Sequence, residues 1–358
     1  MSGLCLVINL GSSSLKAALV DDTGACPWQQ NRHLEPSDGL QQVLERWLAP
    51  ALEPFRDRVE LIAHRVVHGG ERFTAPTLIT TEVEATLETL IPLAPLHNPP
   101  ALTGLAWARN WAGSVPQWAC FDTAFHSSLP AFASCYAIPS ELRRRGFRRF
   151  GFHGINHQHV AETVAEQWRR QGKDPSELRL ISAHLGAGAS LAAIKGGVCI
   201  DTTMGFTPLD GLVMATRCGS LDPGILLALM RDGTSADQLA ATLQEQSGLK
   251  GLSGLSGDMR DIRAAAAASH NGAIRALGVF KHRLQQLIGS MIASLHGIDV
   301  LALTGGIGEH DAALKEELHQ ELEWIPNLEI VVVPADEEGM IARLCRRHSG
   351  RPCSAAVG

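Results

Sequence analysis

Apolar and polar positions alternate along this chain in blocks that read first as paired strands. Leu4 to Leu10 is a short apolar run, Gly11-Ser12-Ser13 supplies turn chemistry, and Leu15 to Val20 is a second apolar run, which predicts strand, tight turn, strand. Leu180 to Ile194 repeats that layout, with His184 where the first copy has Asn9 and a Gly-rich turn in the middle. A layout met twice in one chain predicts two like domains. A further Gly-rich turn is expected over Leu303 to Glu309, after the apolar strand Val300 to Thr304.

Between these blocks the pattern predicts a polar link over Thr23 to Asp38, an amphipathic helix over Gly39 to Ala51 and a strand over Glu60 to Val67 that delivers His64, Arg65 and His68. Helices are expected at Glu82 to Leu90 and Ala101 to Trp111, on either side of a rigid Pro92 to Pro100 loop. The strand Trp118 to Phe121 ends in Asp122, and the carboxyl end of an apolar strand is where α/β sheets present chemistry. A helix over Gln158 to Arg170 precedes the second hairpin, the strand Val198 to Thr202 follows it, and Met204 to Asp222 reads as a long irregular loop of the kind that carries function. Helical periodicity then covers Pro223 to Arg231, Ala236 to Gln246, Met259 to Ala268, Ile274 to Leu295 and Asp311 to Glu323, before a strand at Glu329 to Val333 and a last helix at Glu337 to Arg347. No Ser- or Gly-rich linker separates the halves, so direct crossings are expected, an arrangement suited to hinge closure over a cleft.

With 358 residues, 45% of them apolar, the chain can bury the cores of two domains. A net charge of -6 argues against a nucleic-acid or membrane-surface role, and the dense basic run Arg143 to Arg149 reads as a solvated helix face. The eight cysteines, at 5, 26, 120, 135, 199, 218, 345 and 353, form no CxxC pair, and buried reduced thiols of a cytoplasmic protein are expected. The N-terminus shows no secretory pattern and no apolar run approaches the ~20 residues that span a bilayer. In the hairpin turns, Ser hydroxyls and backbone N–H groups can surround phosphate oxygens, with Asn9 and Lys16 alongside. Neither GxxxxGK[ST] nor a GxGxxG that follows a strand occurs, so any phosphate site is of another kind.

The segments VINLGSSSLK (Val7 to Lys16), HRVVHGGERF (His64 to Phe73), APLHNP (Ala94 to Pro99), FDTAFH (Phe121 to His126), FGFHG (Phe150 to Gly154) and HLGAGAS (His184 to Ser190) resemble those of the acetate/propionate kinase family, in the superfamily of sugar kinases, Hsp70 and actin. The resemblance continues through Asp201 to Pro223, Ser247 to Ile262, Thr304 to Glu309 and Asp336 to Arg343, nearly the whole chain in order. It implies an α/β fold of two duplicated actin-like (ribonuclease H-like) domains with a cleft between them. The first would be 1–125 with the returning helix in 337–358, the second 126–336. The implied activity is transfer of the ATP γ-phosphoryl group to acetate, giving acetyl phosphate and ADP, with Mg²⁺ or Mn²⁺, in a cytoplasmic homodimer that binds neither nucleic acid nor membrane. A propionate or other short-chain carboxylate kinase is the alternative acceptor reading, and a non-catalytic nucleotide switch of the Hsp70/actin kind the alternative from another class.

By position, the resemblance implies Arg65 and Val67 for carboxylate binding, Asp122, His153 and Arg217 for catalysis, and Asn9 and Glu337 for the metal. It implies nucleotide contacts from Ser14, Lys16, His184, Leu185, Gly186, Ala187, Gly188, Asp258, Met259, Arg260, Gly306, Ile307, Gly308, Glu309 and His310. Asp258 to Arg260 matches the segment that borders the adenosine, which favours a nucleotide over pyrophosphate as donor. The residue types suit phosphoryl transfer, which rests on positioning and charge stabilisation. Acetate is already ionised at neutral pH, since a carboxyl group titrates near ~4. Asp122 is therefore read as orienting a metal, its water or an arginine rather than as a base. Each residue also has a structural use: Arg65 or Arg217 as ion-pair partners, His64, His68, His153, His157 and His159 as packed or capping histidines, Glu337 as a helix N-terminal charge. Where the family has Asn in HLGNG and after GGIGE this chain has Ala187 and His310, Gly257 stands in place of Ser, and Ile155-Asn156 in place of the Thr-Ser of HGTSH. Thr23 to Arg58 is trimmed.

Overall fold

A computed structural model describes residues 3–11, 14–35 and 38–351. Ser12 and Ser13 of the first predicted turn and Cys353 lie outside the described residues. The described chain divides into two units, Met1–Ser127 with Gly154–Asn156 and Asp336–Gly358, and Ser128–His153 with His157–Ala335.

The first unit is built on a sheet of order β3-β2-β1-β4-β6-β5. Its strands are β1 (Leu4–Leu10), β2 (Ser14–Val20), β3 (Trp28–His33), β4 (Val59–Val66), β5 (Thr77–Leu78) and β6 (Gln117–Phe121). The β1–β2–β3 meander is antiparallel, whereas β1, β4 and β6 run parallel. Strand β1 is buried throughout, and its period-2 side chains divide between two cores. Leu4, Leu6, Ile8 and Leu10 join Leu44, Leu48, Trp107 and Trp111 on one face; Cys5 and Val7 join Met340, Ile341, Leu344 and Cys345 on the other. The second core belongs to the helix Glu337–His348, which thus completes the first unit from the far end of the sequence.

The second unit carries a sheet of order β11-β10-β7-β8-β9, from β7 (Arg179–Leu185), β8 (Ala189–Lys195), β9 (Val198–Thr202), β10 (Val300–Thr304) and β11 (Glu329–Val332). Its antiparallel β7–β8–β9 meander flanked by parallel β10 and β11 repeats the β1–β2–β3 meander flanked by parallel β4 and β6. The 25-residue helix Asn271–Leu295 covers this sheet, burying Ala276, Phe280, Leu284, Ile288, Met291 and Leu295.

Several expectations need correction. The polar link contains β3, whose WQQNRH alternates between half-buried and exposed positions as an edge strand does. The helix expected at Ala101 starts at Asn98, with Pro99 and Pro100 in its first turn, where a missing N–H costs no hydrogen bond. The third Gly-rich turn is instead a short helix, Gly305–His310: Gly305, at φ +80°, turns β10 straight into it, and a Cβ there would lie 2.8 Å from the Leu185 carbonyl oxygen. A further short helix, Gly248–Ser253, was not expected. Only Ser140–Arg144 of the basic run's neighbourhood is helical, and Arg149 turns inward to donate to the carbonyls of Thr202, Thr203 and Met204 at 2.8–3.0 Å. Of the described cysteines, Cys5, Cys120, Cys199 and Cys345 are buried thiols, but Cys26 and Cys135 are exposed.

Candidate active site

In the first unit, three neighbouring parallel strands bring polar side chains to their carboxyl ends. Asn9 comes from β1, Arg65 from β4, and Asp122 follows β6 directly. Arg65 donates from Nε to Asp122 Oδ1 at 2.9 Å and from one terminal nitrogen to Asp122 Oδ2 at 2.5 Å, while its other terminal nitrogen donates to Asn9 Oδ1 at 3.1 Å. The Asn9 amide nitrogen donates in turn to Glu337 at 3.2 Å and Glu338 at 2.9 Å, both in the acidic first turn of the helix Glu337–His348. Burial works against the charge on Arg65, but Asp122 and Glu337 outweigh it and hold the guanidinium above its ordinary pKa. Three of its five N–H donors are engaged, which leaves one on each terminal nitrogen. Such a pair faces a carboxylate or phosphoryl group well. Asp122, 2% exposed, is thus an arginine-orienting carboxylate. Val67, buried, follows the end of β4, two residues beyond Arg65. Glu338 was not singled out from the sequence, because two adjacent acids at a helix start read as dipole partners.

The second unit places His184 at the end of β7, opposite Ser190 of β8, just as Asn9 stands opposite Lys16. Between them the Gly186 N–H donates to the Gly188 carbonyl at 3.0 Å, and the Ala215 N–H donates to the Ala187 carbonyl at 3.1 Å. His153 holds a left-handed backbone, φ 56°, just ahead of the helix Gly154–Arg170, and its ring stacks on His184 at 4.2 Å. Its Nδ1 lies 2.9 Å from Ser190 Oγ, which also lies 2.8 Å from His157 Nε2; His157 Nδ1 in turn lies 2.8 Å from Ser182 Oγ. A Cβ on Gly188 would sit 3.2 Å from His153 Nε2 and 3.6 Å from a terminal nitrogen of Arg217. An imidazole and a guanidinium therefore converge on one glycine. Arg217 donates to the Pro208 carbonyl at 3.1 Å and has no carboxylate partner among the described residues, and burial lowers its pKa. A desolvated guanidinium without a counter-ion is equipped to receive an anion.

Beside this turn opens a cavity of about 530 Å³ lined by Gly186, Ala187, Asp258, Met259, Arg260, Gly306, Ile307 and His310, all expected from the sequence, and by Ala215, Gly257, Arg263 and Asp311, which were not. Arg263 and Asp311 belong to a clamp, the guanidinium donating to Asp311 at 2.8 Å and to Glu317 at 3.0 and 3.1 Å. The remaining expected nucleotide residues do not line it. Leu185 and Gly308 are buried, and Glu309 spends Oε1 on the backbone amides of Gly305 and Ala335, at 2.9 and 3.0 Å. Lys16 and Ser14 belong to the first unit. Of the other histidines, His64 meets Gln117 at 2.8 Å and His159 meets the Pro334 carbonyl at 3.1 Å. No cluster of three or more His, Cys, Asp or Glu able to hold a metal occurs among the described residues. No described helix is long and apolar enough to cross a membrane.

Residues 27–330 match the sequence model of the acetokinase family. The chain belongs to that family. It is 45% identical over 344 residues to the acetate kinase of Synechococcus sp. (strain JA-2-3B'a(2-13)), covering 87% of this chain and 85% of the relative. A crystal structure of a propionate kinase from Francisella tularensis superposes with a TM-score of 0.85 at 33% identity, over 95% of this chain and 98% of that one. The crystal structure of Porphyromonas gingivalis acetate kinase gives a TM-score of 0.82 at 32% identity, again over 95% and 98%. This acetokinase-family chain is a phosphotransferase with a carboxyl acceptor, of actin-like fold, and its family implies ATP as phosphoryl donor.

Proposed function

We propose that the protein catalyses reversible, direct transfer of the ATP γ-phosphoryl group to acetate. An acetate oxygen forms the new P–O bond as the bond between the γ-phosphorus and the β–γ bridging oxygen breaks, giving acetyl phosphate and ADP. The observation that carries this reading is Arg65, fixed on three sides by Asp122 and Asn9 with one N–H left on each terminal nitrogen. That arrangement suits bidentate capture of the acceptor carboxylate. Acetate needs no general base, because it is ionised well above ~4. Arg217 and the His153 Nε2 side then supply positive charge and a hydrogen bond to the equatorial oxygens as the phosphoryl group loosens. Adenine and ribose occupy the cavity between Gly186 and His310, a volume of about 530 Å³ that suits a nucleotide more than pyrophosphate.

Mg²⁺ or Mn²⁺ fits the residues present. Glu337 and Glu338 around Asn9 are hard oxygen donors, too few for a dedicated cage, and Mg²⁺ characteristically keeps waters and substrate phosphates among its ligands. When bound, the ion neutralises developing phosphate charge. A homodimer in the cytoplasm completes the reading; in its support, the helix Pro223–Arg231 buries none of its residues and leaves Ile225, Leu227 and Met230 44%, 54% and 58% exposed.

Purified protein given ATP, Mg²⁺ and acetate should yield acetohydroxamate when hydroxylamine is present, and no product with any short carboxylate would refute the assignment. Val67 fills space that an extra methylene would need, and one methylene changes discrimination by about 1 to 3 kcal/mol. Acetate should therefore exceed propionate in kcat/KM, and Val67→Ala should narrow or reverse the ratio through propionate KM. An unchanged ratio would remove Val67 from the acyl pocket.

A further inference from the structure

Ser190 Oγ bridges two imidazole nitrogens and has a single proton, so it must donate to one ring and accept from the other. The direction is set one step deeper. Ser182 is fully buried, and the hydrogen bond of its hydroxyl is the one with His157 Nδ1. If that proton pointed elsewhere it would be a buried, unsatisfied donor, which costs about 1–3 kcal/mol. Ser182 therefore donates to His157 Nδ1, which makes this nitrogen an acceptor and puts the ring proton of His157 on Nε2. His157 Nε2–H donates to Ser190 Oγ. Ser190 then has its own proton for His153 Nδ1, and neutral His153 must carry its proton on Nε2, the nitrogen 3.2 Å from the Cβ position at Gly188. Protonating His153 on Nδ1 as well would leave Ser190 facing two donors with no acceptor for its own hydrogen.

We propose that Ser182, His157 and Ser190 form a one-way hydrogen-bond relay that holds His153 as the neutral Nε2–H tautomer, a fixed donor aimed at the Gly188 turn. The three are positioning residues, and their effect on rate rests on the reading of His153 as a transition-state donor. The titratable and charged groups around His153 include His184, stacked on its ring, His157 through Ser190, and Arg217, whose guanidinium shares the Gly188 position.

Nitrogen-15 NMR of the labelled full-length protein tests the relay directly, with the His153 signal assigned by its loss in His153→Gln. In the wild type His153 should show a protonated Nε2 and an unprotonated Nδ1. Ser182→Ala removes the donor that fixes the His157 tautomer, so the His153 proton should no longer be confined to Nε2, whereas Ser182→Thr keeps the hydroxyl and should keep the wild-type pattern. A wild-type His153 protonated on Nδ1, or one whose tautomer is the same in Ser182→Ala, would overturn the proposal. In kinetics, Ser182→Ala should lower kcat about 100-fold, the scale of one lost transition-state donor, with little change in either KM. Ser190→Ala should lower it similarly, and adding Ser182→Ala to Ser190→Ala should cost nothing more, because the link is already cut. Additive losses would also overturn the relay. A tautomer that moves while kcat does not would leave the relay standing and remove His153 from the chemistry.

Discussion

A methyl group at Gly188 would occupy the point on which His153 Nε2 and Arg217 converge. Its contact with the imidazole, at 3.2 Å, is tight enough to push the ring aside by a few tenths of an ångström. Gly188 does not have a left-handed backbone, so alanine brings no strain of its own. Gly188→Ala should therefore fold normally yet lose kcat on the order of tenfold, short of the ~100-fold that a full 1 Å misplacement costs. Unfolding temperature and kcat measured side by side check this, and equal losses in both would mean that the glycine serves the fold. At this scale the sequence was informative about charged and imidazole groups and nearly silent about their supports. Arg65, Asp122 and His153 stand out in any reading, whereas Ser182 and Ser190 look like small residues in apolar strands. The usable signal was a hydroxyl at a position that alternation assigns to the interior, since a buried hydroxyl needs a partner. Glu309 misled for the opposite reason: a carboxylate after a glycine run suggests a ligand, but here it holds backbone amides.

Strands surfaced in the sequence wherever both faces are buried, because continuous apolar runs such as Leu4–Leu10 and Val300–Thr304 have no other economical use. The edge strand Trp28–His33 escaped notice since nothing about its polar face demands a sheet. The short helix Gly305–His310 was hidden by its glycines, which weaken a helical reading but allow close approach to β7. The last helix was visible from its acidic start and basic end, Glu337 and Glu338 against Arg346, Arg347 and His348, matched to its dipole. Its anchoring was not visible. Arg346, 1% exposed, donates to Glu60 at 3.1 Å and to the carbonyls of Gly3 and Val20 at 2.8 and 3.2 Å. Arg346→Ala should cost about 3 kcal/mol, the lower end for a broken buried pair, because Glu60 is partly exposed and keeps Arg351. Faster hydrogen exchange along Glu337–His348 would report it; unchanged exchange would show that apolar packing alone holds the helix.

Acid sensitivity belongs to the molecule as a whole, and two buried imidazoles of the first unit contribute to it. Burial holds His64 and His68 neutral, each with its pKa lowered to about 4. In the unfolded chain a histidine titrates near ~6.5, so between these values the unfolded state binds more protons. The stability that depends on neutral His64 and His68 is therefore complete above about pH 6.5 and is lost as the pH falls towards about 4, by at most about 3 kcal/mol for each. Exchange of the β4 amides, compared at pH 7 and pH 5, should show this loss in the wild type and a smaller one in His64→Gln. Equal losses in the two would mean that His64 gains its proton as readily folded as unfolded.

The helix that closes the first unit's second core is translated after the whole of the second unit. At about 5–20 residues per second, the ribosome leaves β1, β4 and β6 with one apolar face uncovered for on the order of tens of seconds. By the end of that interval every residue of the second unit, Ser128–His153 with His157–Ala335, has been translated, whereas the first still lacks its closing helix. The unit begun first is thus the one completed last, and the same helix turn that brings Glu337 and Glu338 to Asn9 arrives only then. The arginine that awaits a carboxylate is not set until Glu337–His348 has emerged, so a chain stopped before Glu337 lacks part of the acceptor site's support.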